Sequence, residues 1–70
     1  MKQRINKYPD GNIWSEYYLN NRNQLNGLFI YYYTNGNICS KTNYINNKQF
    51  GLDKRYNNKN NKPRIITYYL

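Results

Sequence analysis

The chain has 70 residues, with eleven Lys and Arg against three Asp and Glu, no histidine, and a formal net charge of +8 at pH 7. A chain of this length buries only about 60% of the surface that its unfolded form exposes, so it makes one small domain with a thin core, and large enzyme architectures are excluded. With Cys39 as the one cysteine and no histidine, an internal disulfide is excluded and a zinc site would have to be built across chains, which favours a reducing compartment.

The elements follow from strand composition and turn chemistry, taken in chain order. Lys2 to Tyr8 reads as a first strand, and Tyr8-Pro9-Asp10-Gly11 as a type I turn whose Gly11 takes the positive φ of a three-residue hairpin loop. Asn12 to Leu19 is the returning strand, and Asn20 to Asn26 a looser, Asn-rich connection. Leu28 to Tyr33 and Asn37 to Ile45 form a second hairpin around Asn35-Gly36, the same signal as the first. After a polar link from Asn46 to Phe50 come a fifth strand, Leu52 to Tyr56, and a sixth, Arg64 to Tyr69, separated by the longer connection Asn57 to Asn61. No helix is expected. The prediction is all-β: an antiparallel meander of about six short strands in a single open sheet, tight turns on one edge and Asn-rich turns on the other.

The hairpins repeat. Tyr8-Pro9-Asp10-Gly11-Asn12-Ile13-Trp14-Ser15 matches Tyr33-Thr34-Asn35-Gly36-Asn37-Ile38-Cys39-Ser40 at five of eight positions with an offset of 25, too many for coincidence in so short a span. Tyr18-Leu19-Asn20-Asn21-Arg22 echoes Tyr44-Ile45-Asn46-Asn47-Lys48, and Gly27-Leu28 echoes Gly51-Leu52. Such a period signals a repeat architecture in which terminal units are often atypical. The units run over residues 1–26, 27–50 and 51–70, and together form one domain, residues 1–70. Simple alternation puts Ile13, Ser15 and Tyr17 on one face, expected to pack, with Trp14, Glu16 and Tyr18 on the other. Ile38, Ser40 and Thr42 against Cys39, Lys41 and Asn43 repeat this division in the second unit.

Gly27-Leu28-Phe29-Ile30-Tyr31-Tyr32-Tyr33-Thr34-Asn35-Gly36-Asn37-Ile38-Cys39-Ser40 resembles the MORN repeat in its variant form, whose unit reads Gly-x-Trp-x-x-Tyr-Tyr-x-Asn-Gly-x-x-x-Ser. The resemblance spans nearly the whole chain as about two and a half units. Gly27 and Gly51 resemble the family glycine that opens the strand, Tyr31, Tyr32 and Tyr56 its aromatic positions, and Gly11 and Gly36 its hairpin glycines. Phe29 and Asp53 stand where the family prefers tryptophan, Arg55 replaces a tyrosine, and Pro63 replaces a glycine. The resemblance implies an elongated sheet of hairpins with a non-enzymatic role as scaffold, dimerisation surface or attachment module, sometimes at membranes.

Catalysis fits the residues poorly. The usual general base, histidine, is absent, Asp10, Glu16 and Asp53 are scattered, and Cys39 has no activating partner. The four glycines lie a hairpin apart and cradle no phosphate. No cofactor and no small-molecule substrate are expected. The reading that remains is a protein-binding or scaffold module, self-association included, with Trp14, Tyr18, Phe29 and Tyr31 as the contact residues, since bulky aromatics bind well when desolvated. Their alternative role is packing within the sheet. A second reading takes Lys54, Arg55, Lys59, Lys62 and Arg64 as a basic segment that binds nucleic acid or anionic lipid without sequence preference.

Asn, Tyr, Lys, Ile and Phe supply 41 of the 70 residues, and all five have AT-rich codons. An AT-rich source genome, such as that of a parasite, an endosymbiont or a large DNA virus, therefore accounts for part of the charge. No run approaches the roughly 20 apolar residues of a membrane span, and Met1 to Asn6 lack the apolar core of a signal peptide. The expected location is the cytoplasm, or the host cytoplasm or virion if the source is viral.

Overall fold

The computed structural model describes residues 2–60 and 62–69, so Met1, Leu70 and Asn61, the last residue of the predicted 57–61 connection, lie outside it. Six strands follow one another as β1 (Lys2–Lys7), β2 (Ile13–Leu19), β3 (Gly27–Tyr32), β4 (Ile38–Ile45), β5 (Lys48–Tyr56) and β6 (Pro63–Tyr69). They form one antiparallel sheet in the order β1-β2-β3-β4-β5-β6, the open meander that the sequence predicts. The Cα envelope measures 36 × 29 × 11 Å. A second packed layer would stand about 10 Å off the first, so this depth holds a single twisted sheet with both faces open.

The turns explain the register. Gly11 N–H donates to Tyr8 O at 3.0 Å and Tyr8 N–H to Asn12 O at 2.8 Å; Gly36 and Tyr33 repeat this with Tyr33 O and Asn37 O at 3.0 and 2.7 Å. Gly11 and Gly36 sit at φ +94° and +91°, the left-handed conformation that this loop demands. The side chains of Asp10 and Asn35 each accept from the N–H two residues on, at 3.0 Å, which fixes the turn from inside.

The opposite edge is tighter than expected. Asn20 to Gln24 closes the same kind of loop, with Asn23 N–H on Asn20 O at 3.0 Å, Asn20 N–H on Gln24 O at 2.9 Å, and Asn23 at φ 59° in the glycine's place. The link predicted to run from Asn46 to Phe50 is a two-residue turn. Asn46 and Asn47 both have positive φ, at 49° and 70°, which asparagine tolerates and which a type I′ hairpin needs at both central positions. Strand β5 therefore starts at Lys48 rather than Leu52. It carries extra residues around Phe50 to Leu52, because Thr42 faces Asp53 while Tyr44 faces Gln49.

Simple alternation fails beside each of the near-edge turns. Asn6 faces Ser15 while Lys7 faces Ile13, so Trp14 is the extra residue of a β-bulge; Cys39 holds the same place between Ile38 and Ser40, and Arg64 between Pro63 and Ile65. Each bulge puts two residues opposite one and shifts the side-chain phase. Residues directly opposite share a face. Ile13 therefore lies across the sheet from Ser15, contrary to the expected grouping, and Trp14 joins Ser15 and Tyr17, where it meets the ring of Tyr31.

Among the described residues no apolar side chain is fully buried; the buried ones are Ser15, Ser40, Thr42 and Asp53. The positions closed from solvent are thus held by small and polar side chains on β2, β4 and β5. Cohesion between hairpins comes instead from hydrogen bonds that leave one turn for the next. Asn12 Nδ2 donates to Thr34 O at 2.9 Å, and one unit later Asn37 Nδ2 donates to Asn58 O at 3.1 Å. On the far edge Asn20 Nδ2 donates to Asn46 Oδ1 at 3.1 Å and Leu25 N–H to Asn47 Oδ1 at 2.7 Å. Much of the asparagine content thus has a structural use beyond codon bias.

Candidate protein-binding face

One face of the sheet carries a run of rings over β2, β3 and β4. Ser15 and Tyr31 pair across β2–β3, and Tyr31 and Ser40 across β3–β4, so these strands present matching positions to one side. Phe29 is the hub. It stacks on Tyr17 with centroids 4.7 Å apart and planes at 10°, and meets Tyr31 at 4.7 Å and Tyr44 at 5.9 Å in tilted geometry. Trp14 extends the run through Tyr31 at 6.2 Å. Each such pair contributes about 0.5–1.5 kcal/mol beyond burial. This stiffens the β2–β3 seam, whose ladder covers only Ser15↔Tyr31 and Glu16↔Ile30.

Of the four residues singled out by sequence, three fall in this cluster. Trp14 and Tyr31 are 44% and 39% exposed, and offer ring surface that the sheet itself does not use. Phe29 is half-buried among its neighbours and supports them. Tyr18 is on the opposite face, where its hydroxyl lies 3.5 Å from Gln3 Nε2 and its ring lines a separate depression with Gly27 and Leu28. Sequence reasoning missed Tyr17 and Tyr44, although the two-residue spacing from Ser15 to Tyr17 carried the signal. Between Trp14, Tyr17, Phe29 and Leu25 the face dips into an open depression of about 570 Å³.

The aromatic band ends where β5 begins. Asp53 and Arg55 pair with Thr42 and Ser40 of β4, at the positions that correspond to Phe29 and Tyr31 one unit earlier. Asp53 is 2% exposed. Its carboxylate accepts from Thr42 Oγ1 at 2.6 Å and lies 3.5 Å from Arg55 Nε. This polar pair fills the slot of a missing ring and closes the band.

The basic segment does not form one patch. Lys54 and Arg55 are successive strand residues on opposite faces, and Arg55 is engaged by Asp53. Lys59 and Lys62 are exposed in the third loop, and Arg64 is the bulge residue just beyond it. The Tyr33 pKa is raised, first by its interaction with Cys39 and then by desolvation, and the Arg64 charge opposes the rise. Behind the sheet, Tyr32 donates to Glu16 Oε1 at 2.8 Å, and burial, followed by this bond and the Glu16 charge, raises the Tyr32 pKa. Among the described residues no group of three His, Cys, Asp or Glu side chains is placed to hold a metal ion.

Comparison of the chain with protein-family models, with curated proteins and with solved structures gives no match.

Proposed function

We propose that the chain is a non-enzymatic β-hairpin repeat module of the MORN-variant kind that binds another protein through its aromatic face. The observation that supports this reading is the continuous band from Trp14 through Tyr31 and Phe29 to Tyr17 and Tyr44, held rigid by its own stacking and left uncovered by the fold. A preorganised aromatic surface loses little side-chain entropy on docking, and Trp and Tyr are the residues that dominate binding when desolvated. The net charge of +8 speeds encounter with an acidic partner without setting specificity.

The test is a pull-down of the tagged chain from its native cells, with and without nuclease, read by mass spectrometry and repeated over a salt series. A partner protein retained after nuclease and at high salt is expected. Trp14→Ala and Tyr31→Ala should each weaken that complex by about thirtyfold, the scale of a hot-spot residue, with the far-UV spectrum unchanged. The triple substitution of Lys59, Lys62 and Arg64 should leave it intact. Material that is nuclease-sensitive and lost steeply with salt would instead identify a phosphate-binding module and end the proposal.

A further inference from the structure

The two edges of the sheet are built differently. β1 presents Lys2, Arg4 and Lys7 along its length, the charged guard that keeps an edge strand from pairing with other chains. β6 has no such guard: after Arg64 it reads Ile65-Ile66-Thr67-Tyr68-Tyr69, uncharged, rich in β-formers and exposed at every position. Ile66 and Tyr68 are 58% and 61% exposed, the highest values among the described large apolar side chains. Among the described residues no strand pairs with the outer side of β6. An unguarded outer strand of this kind is a template for strand addition.

We infer that β6 pairs antiparallel with β6 of a second copy of this chain, about a two-fold axis through Thr67, to make a continuous twelve-stranded sheet.

Two observations select this occupant. Head-to-tail pairing of β6 with β1 of another copy would extend the repeat, but the groups that join one hairpin to the next are missing from the third unit. Tyr8 and Tyr33 donate their hydroxyls to Tyr32 O and Tyr56 O in the following hairpins, both at 2.8 Å, and Asn57, whose N–H closes the third turn on Lys62 O as theirs close the first two, stands at the equivalent place. Asn12 and Asn37 reach the next turn, and Lys62 replaces them. That arrangement would also set Arg64 and the third-loop lysines near the basic β1 strand.

The two-fold pairing has the opposite character. With Thr67 facing Thr67 of the other copy, Ile65 faces Tyr69 and Ile66 faces Tyr68, and the odd- and even-numbered residues keep to their own faces. Aromatic against β-branched and Thr against Thr are stabilising cross-strand pairs. Arg64 stays outside the paired span in both copies. A two-fold contact closes on itself, so assembly stops at the dimer, whereas head-to-tail contacts propagate.

The experiment is sedimentation equilibrium of the 70-residue chain over a micromolar concentration series, with disulfide trapping of the register. The wild-type chain is expected at twice its 8.6 kDa mass. Ile66→Lys is expected to return it to the monomer mass with an unchanged far-UV spectrum, because Ile66 is exposed and its loss leaves the β5–β6 hairpin in place. Opposed Cα atoms in an antiparallel pair lie about 4.5–5.5 Å apart, within disulfide reach. Cys39→Ser with Thr67→Cys should therefore oxidise to a covalent dimer, and Cys39→Ser with Arg4→Cys should not. A monomer at all concentrations, a ladder of growing species, a dimer that survives Ile66→Lys, or linkage through position 4 in place of 67 would overturn the inference.

Discussion

The hydroxyl of Tyr8 donates to the backbone carbonyl of Tyr32 at 2.8 Å, a contact that crosses from the first hairpin to the second and is repeated one unit later by Tyr33 and Tyr56. Each tyrosine also opens a turn, so a single residue type both starts a hairpin and fastens it to its neighbour. Tyr8→Phe keeps the ring and removes only the donor. The expected loss is about 1 kcal/mol, the net worth of a hydrogen bond. In a domain of this size that lowers the thermal midpoint by about 4–8 °C, readable by circular dichroism.

Thr42 and Asp53 test the polar end of the aromatic band. The Thr42 hydroxyl is the donor on a carboxylate that is almost wholly out of solvent. Thr42→Val preserves shape and leaves that charge short of a partner, at a cost of about 1.5–3 kcal/mol. Thr42→Ser retains the donor and should recover most of it. The urea midpoint at constant slope distinguishes the two.

Alkaline titration tests the Tyr32–Glu16 bond. The folded pKa of Tyr32 is raised above its ordinary value of 10.0, chiefly by burial and then by Glu16. A group with a raised folded pKa gives stability that is fully present below its unfolded pKa and is lost as pH rises through the folded one. The contribution of this pair should therefore be constant with pH around neutrality, and the unfolding midpoint should fall once pH passes about 10. Tyr32→Phe should lower the midpoint at pH 7 and flatten the alkaline decline.

Turn chemistry supplies a pair of opposite effects. Gly36 sits at φ +91° with open space where a Cβ would go, so Gly36→Ala costs only the backbone penalty of about 1–2 kcal/mol. Asn23 holds the same place in its own loop at φ 59°. Asn23→Gly should therefore leave stability unchanged or raise the thermal midpoint.

The sequence announced the strands and the near-edge turns because glycine after Asp or Asn has few other uses, and the 25-residue offset fixed their phase. It concealed the faces. A bulge adds a residue without any special side chain, and Trp14, Cys39 and Arg64 share nothing chemically although they share a position. Asn46 and Asn47 hid a two-residue turn because asparagine adopts positive φ without the marker that glycine provides. Three of the four proposed contact residues came together, since β3 places Phe29 and Tyr31 two residues apart and the bulge carries Trp14 to them. Tyr18 went elsewhere because no bulge intervenes between it and Glu16.

The absence of a fully buried apolar side chain among the described residues has a calorimetric consequence. The heat-capacity increment of unfolding comes from apolar surface newly exposed to water and is offset by polar surface, with a usual balance of about 12–15 cal/mol/K per residue. A sheet whose centre holds Ser15, Ser40, Thr42 and Asp53, and whose hairpins are joined by amide and hydroxyl groups, falls below that balance. Its free energy of unfolding therefore bends little with temperature, and cooling weakens this fold less than it weakens one assembled around an oily interior.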